Sequence, residues 1–175
     1  MTATLIERLA PFKTRALTRG ELMIARYMFA DERPFSKVRV VQLPRLGFGA
    51  MAPLRSAIVF SGWNAACDFC GAPLSERGWF VHELTHIWQA LGGAIMPLAK
   101  LSALGAHAYS YEYLAGKPFT AYNIEQQAEI GRHLFLARYG APDPQAPPAG
   151  ALETIWPINS DSARPDLTRD ARPSC

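Results

Sequence analysis

The chain has 175 residues, 49% hydrophobic and 19% charged, which excludes a disordered protein and supplies one soluble domain with a full core. Three cysteines are too few for a secreted disulfide framework. The net charge of +3 divides into ten Lys/Arg against four Asp/Glu over residues 1–55 and eight against eleven beyond. Those basic residues are scattered singly among apolar ones, so they read as a solvated face and not as a nucleic-acid surface.

The N-terminus, MTATLIERLAPFKTR, has neither the apolar run nor the cleavage site of a signal peptide. The weakly polar stretch from Ala90 to Leu104 is interrupted by Gly92, Gly93, Pro97 and Lys100 and is too short to span a bilayer. A cytoplasmic protein without a membrane span is expected, with later signal-independent export left open. Thr18 followed by Glu21 makes a capping box, and Leu22, Ala25, Met28 and Phe29 recur on one face of the helix that follows. That helix should stop near Asp31, ahead of Arg33-Pro34.

Two β-branched runs, Val38–Leu43 and Ala57–Phe60, predict two or three strands of a small sheet, punctuated by Pro44, Gly47, Gly49 and Pro53. Leu74–Leu91 predicts a long helix with Ser75 as N-cap and Gly92-Gly93 as its stop. Tyr109, Tyr111 and Tyr113 alternate, which suggests a further strand before a turn at 115–118. Asn123 then caps a helix to about Arg138, ended by Gly140. Seven of the fourteen prolines fall in residues 141–175, so this tail is expected to be extended or disordered, with Ile155 and Trp156 able to dock on a domain over 1–140.

The second helix carries His82-Glu83-Leu-Thr-His86, an H-E-x-x-H pattern. Histidines one turn apart share a face and can reach one metal ion, while Glu83 sits at the lip of that face without being a ligand. Zinc lowers the pKa of a bound water to about 7, and the neighbouring carboxylate can then take its proton. Zinc is preferred over iron or manganese for an N/O donor set.

A third ligand is required. Gln89 and Gly92 occupy the positions where the extended H-E-x-x-H-x-x-G-x-x-H class needs glycine and histidine, so that class fails. A carboxylate from the later helix is the other solution, and Glu125 and Glu129 lie one turn apart there. Glu125 is assigned as ligand and Glu129 as the acceptor that orients a ligating histidine, with exchange of the two left open. Tyr109, Tyr111, Tyr122 and His107 lie between the two helices in sequence and are candidates to stabilise an oxyanion. Cys67-Asp-Phe-Cys70 has no second Cys/His pair at a zinc-knuckle spacing and reads as free thiols or a local redox pair.

The segments LTRGELMIARYMF, PLSERGWFVHELTHIWQ and AGKPFTAYNIEQQAEI, closed by RHLFLARYG, resemble the Vgr-related bacterial protein family, which is similar to minimal zincin-like metallopeptidase domains. The resemblance covers about Leu17 to Gly140. It implies a gluzincin-type site with Glu125 as third ligand, although Glu129 stands where that pattern more often has aspartate. The expected fold is α+β, a few-stranded sheet packed beside the active-site helix and a second metal-ligand helix. The expected function is a zinc-dependent hydrolase, a metallopeptidase acting on a peptide or protein. The alternative is a non-catalytic, zinc-stabilised adaptor or cargo associated with a bacterial type VI secretion apparatus, a component of its spike.

Overall fold

In the computed structural model, which describes residues 6–45, 49–94, 108–159 and 164–166, the first helix, α1, spans Arg19–Phe29. Its capping box is complete: the Thr18 hydroxyl accepts from the Glu21 N–H at 3.1 Å, and Glu21 accepts from the Thr18 N–H at 2.8 Å. The helix stops at Phe29, short of Asp31, where Ala30 enters the left-handed region at φ 62°. Glu21 does more than cap. Its buried carboxylate takes both terminal nitrogens of Arg15 at 2.7 Å and the Phe69 N–H at 3.0 Å. One side chain thereby ties the first strand, the first helix and the 310 turn Phe69–Gly71 together.

Four strands form one mixed sheet: β1 (Thr14–Ala16), β2 (Arg39–Gln42), β3 (Ala50–Leu54) and β4 (Ala57–Phe60), in the order β1-β2-β4-β3. Strands β2 and β4 run parallel, with Val40 opposite Ile58, and both outer pairings are antiparallel. Along β2 and β4 alternate residues are buried, and Val40, Ile58 and Phe60 are sealed from solvent. The sequence predicts β2 and β4; it does not predict β1, nor β3 as a separate strand. Pro53 lies in β3, which is tolerable because β3 is an edge.

Helix α2 spans Leu74–Leu91, as expected, but begins at Pro73 and not at a Ser75 cap. Leu74 is already helical, so Ser75 lies inside the first turn. Phe80, Val81, Leu84 and Ile87 are fully buried around much of its circumference, which marks a central helix. The sheet packs on one side of it and α3 (Ile124–Arg138) on another. Phe60, Phe69 and Phe80 stack in sequence, with centroids 5.3 and 4.6 Å apart, and join sheet, turn and helix. A Cβ on Gly131 of α3 would come within 2.8 Å of Thr85 Oγ1 and 3.0 Å of Trp156, so the α2–α3 approach depends on that missing atom. Asn123 and Gln126 form the reciprocal cap that starts α3.

Two expectations fail in the described residues. The segment from residue 108 to 114 is not a strand. Gln126 Nε2 takes the Ser110 carbonyl at 2.7 Å, and the tyrosines of this segment go to different neighbours. Within the proline-rich tail, α4 (Ala149–Ile155) packs on α3. Ile155 and Trp156 are buried, and the Trp156 indole donates to the Met28 carbonyl at 3.1 Å. Cys67 is disulfide-bonded while Cys70 is a buried free thiol, so the two are not a local pair. Among the described residues no helix is long and apolar enough to cross a membrane.

Replacing Glu21 with alanine strands the buried Arg15 guanidinium and removes the cap. Urea titration should show a loss of about 3–5 kcal/mol for Glu21→Ala. Glu153→Ala, at a half-exposed pair with Arg138, should cost about 1 kcal/mol or less.

Candidate metal centre

Helix periodicity places His82 and His86 one above the other on α2, and the close packing of α3 sets Glu125 opposite them. Glu125 Oε2 lies 3.4 Å from His82 Nε2 and 3.1 Å from His86 Nε2. One ligand atom from each of the three residues falls within 4.8 Å of the others, and all three residues are buried. A tetrahedral zinc with bonds of about 2.0–2.1 Å separates neighbouring ligand atoms by about 3.3 Å. The two measured separations fit that edge, and the group can hold a metal ion.

The protonation pattern argues the same way. Gln89 Nε2 donates to the Ile124 carbonyl at 3.0 Å and to Gln127 Oε1 at 2.9 Å, which fixes its amide orientation. Gln127 is fixed in turn, because its own Nε2 donates to the Tyr122 carbonyl at 2.8 Å. Gln89 Oε1 therefore faces His86 Nδ1 at 2.8 Å and accepts its proton. That leaves the Nε2 lone pair of a neutral His86 against a carboxylate oxygen, a repulsive contact unless a cation or proton lies between them. The sequence reads Gln89 only as a missing glycine. The signal that could have found it is its place one turn beyond His86, on the same face.

Glu129 Oε1 approaches His82 Nδ1 to 2.8 Å, but off the N–H line, so neither atom completes a hydrogen bond. Arg132 holds the other Glu129 oxygen at 2.7 Å and lays its guanidinium on the Trp79 ring, 4.6 Å from the centroid. Burial opposes charge on His82, yet Glu125, Glu129 and Glu83 outweigh it and push the imidazole up to about 9. Burial likewise opposes charge on Glu129, but His82 and Arg132 hold it below the usual carboxylate range.

Glu83 is buried on the same helix, and its Oε2 has no hydrogen-bond partner. It lines a cleft of about 160 Å³ together with His82, Glu125, Trp63, Trp79 and Tyr109. Among the described residues, the buried side-chain atoms lacking a hydrogen bond belong to Trp63, His82, Glu83, Glu129 and Arg132. All of them are in the metal-ligand cluster, beside it or in its walls, where uncompensated polarity marks work not done by the fold itself.

The oxyanion candidates separate. Tyr109 lies in the cleft, with its ring 6.0 Å from that of His82. The Tyr111 hydroxyl is engaged with His133 Nδ1 at 2.8 Å, and the Tyr122 hydroxyl donates to the Glu112 carbonyl at 3.2 Å. Neither of those two lines the cleft, and both hydroxyls are engaged with other groups. His107 falls outside the described residues.

No protein-family profile matches the chain. It is 32% identical over 153 residues to the type VI secretion system spike protein VgrG2b of Pseudomonas aeruginosa, an alignment covering 81% of this chain. The chain spans only 15% of the length of that curated relative. Among solved structures it is similar to the effector domain of Pseudomonas aeruginosa VgrG2b, with a TM-score of 0.61, 28% identity and 80% of each chain covered. The chain is homologous to that effector domain.

Two measurements follow from this geometry. Gln89→Leu releases His86 Nδ1 and should weaken zinc binding about 10–100-fold in a chelator competition, with the fold retained. Zinc also requires an unprotonated His82. Because the metal-free His82 titrates at about 9, apparent affinity should rise up to tenfold per pH unit from 7 to 9, with about one proton released per zinc at pH 7 by calorimetry. In the metal-free chain the sign reverses for stability. The charged His82 stabilises the fold fully below its ordinary pKa of about 6.5, and this contribution is lost as pH rises through about 9.

Proposed function

Starting from its homology to the VgrG2b effector domain, we propose that this chain is a type VI secretion effector module with a zinc-dependent peptidase site. His82, His86 and Glu125 hold the ion. The observation that carries the catalytic part is Glu83. A zinc clamp that served only to join two helices would have no use for a buried carboxylate with an unsatisfied oxygen beside it. When bound, zinc supplies Lewis acidity and makes water acidic enough to attack at neutral pH.

The chain's own groups supply the rest. Glu83 takes the proton from the attacking water and hands it to the leaving amine. Tyr109 offers a hydroxyl to the charge that develops on the carbonyl oxygen. Gln89 holds the His86 imidazole by a hydrogen bond, Glu129 sets its negative charge beside His82, and Trp79 with Trp63 walls the cleft.

The comparisons bear more directly on the secretion-associated alternative than on hydrolysis. A spike relative of which this chain covers 15% suggests a module carried by, or released from, such a spike, and it supplies an export route without a signal peptide. The non-catalytic form of that reading has one structural point in its favour. A cleft of about 160 Å³ is small for a peptide when taken alone.

Glu83→Gln should keep full zinc occupancy and lose at least about a hundredfold in the rate of cleavage of an unfolded protein such as casein. Equal rates for variant and wild type would remove Glu83 from the mechanism. Stepwise chelation should abolish cleavage before it unfolds the chain, as followed by circular dichroism. Loss of fold at the same chelator concentration would favour the non-catalytic reading.

A further inference from the structure

A second, larger hollow of about 560 Å³ adjoins the metal cleft. Trp63 and Trp79 wall both cavities, so a ligand seated at the metal centre continues past the two indoles into this space. Together the cavities reach the size expected for a binding site, which the cleft alone does not. Trp79 is held from behind by Arg132. Trp63 packs its edge on Phe60 and lies so near Gly49 that a Cβ there would meet the ring at 3.0 Å. These walls are fixed by the fold.

The charge in the hollow is unbalanced. Arg8 is neutralised by Glu76, which takes two of its nitrogens at 2.6 and 2.8 Å. Asn64 is uncharged. Arg45 lines the same hollow, is exposed, and has no ion-pair partner among the described residues. An unpaired cation at the wall calls for an anionic partner, and the indole faces suit the apolar part of a peptide.

We infer that this hollow is a substrate subsite for a carboxylate-bearing residue of a peptide, with Arg45 as its specificity-determining side chain. This rests on the peptidase reading, and it narrows the substrate class to peptides with a carboxylate on one side of the scissile bond. The carboxylate has two sources of the same chemistry, an acidic side chain or a free C-terminus.

Binding is measured without turnover, on zinc-loaded Glu83→Gln protein, by fluorescence anisotropy of acetylated, amidated hexapeptides carrying a neutral dye. Three peptides differ only in a Glu, Gln or Lys at one position, scanned along the sequence, and a fourth is the Gln peptide with a free C-terminus. At one position the Glu peptide should bind about fivefold tighter than the Gln peptide, the range a partly exposed ion pair gives. An equal gain for the free-acid Gln peptide would identify the chain end as the source. Arg45→Glu, at an exposed and unpaired position, should keep its melting temperature and reverse the order in favour of Lys. Equal binding of all four peptides, or an order unchanged in Arg45→Glu, would overturn the subsite. If wild type then fails to cleave any of them while the preference persists, the fault lies with the peptidase reading and not with the subsite.

Discussion

The fold is organised around one carboxylate oxygen. Glu125 Oε2 faces two imidazole nitrogens across the α2–α3 interface, at 3.1 and 3.4 Å, and all three side chains are buried. Burying a negative charge against a lone pair is expensive unless positive charge is shared between them. A proton on His82 supplies it in the metal-free chain, and a divalent cation held by the three side chains would supply it as well. The neighbouring features are consequences. Gln89 dictates which nitrogen of His86 faces inward, Glu129 attends the far nitrogen of His82, and Arg132 balances Glu129.

That arrangement is costly for a domain of this size, and the remainder of the molecule compensates. Both helices are buried on several sides, by the sheet, by the stacked phenylalanines and by α4 with Trp156. Gly131 lets the helices approach at the level of Thr85, the residue before His86, and Arg15–Glu21 ties the first strand, α1 and the turn at Phe69. Rigid walls matter more to a metal centre than to a core, because ligand atoms must converge to within a few tenths of an ångström. The unsatisfied polar atoms gather at this centre and its rim, so the strain the fold carries lies where chemistry can use it.

Homology to a spike effector domain gives this small unit a context in which compactness has value. On the proposed reading, a module carried by a larger assembly needs a site that stays assembled in transit, and His82, His86 and Glu125, buried on two tightly packed helices, suit that requirement. The adjoining hollow, which shares Trp63 and Trp79 with the cleft, would give the proposed site an approach.

Local chemistry was legible from the residues in order. Apolar periodicity and flanking glycines locate α2 at Leu74–Leu91, a capping box starts α1, Asn123 caps α3, and β-branched runs mark β2 and β4. The same logic fails for Tyr109 to Tyr113, because alternation reports which side chains are covered and not whether the backbone finds a strand partner. It fails also for β1 and β3, short edge strands whose existence depends on neighbours far along the chain. The sequence alone determined the pair of histidines, the adjacent Glu83 and a supply of carboxylates one turn apart, since these are facts of helical spacing. Only tertiary structure decided that Glu125 meets both imidazoles, that Gln89 sets a tautomer, and that Tyr111 and Tyr122 are spent elsewhere. Those depend on how closely two helices pack, and that distance is set by a glycine, a tryptophan and a sheet that no local pattern can weigh together.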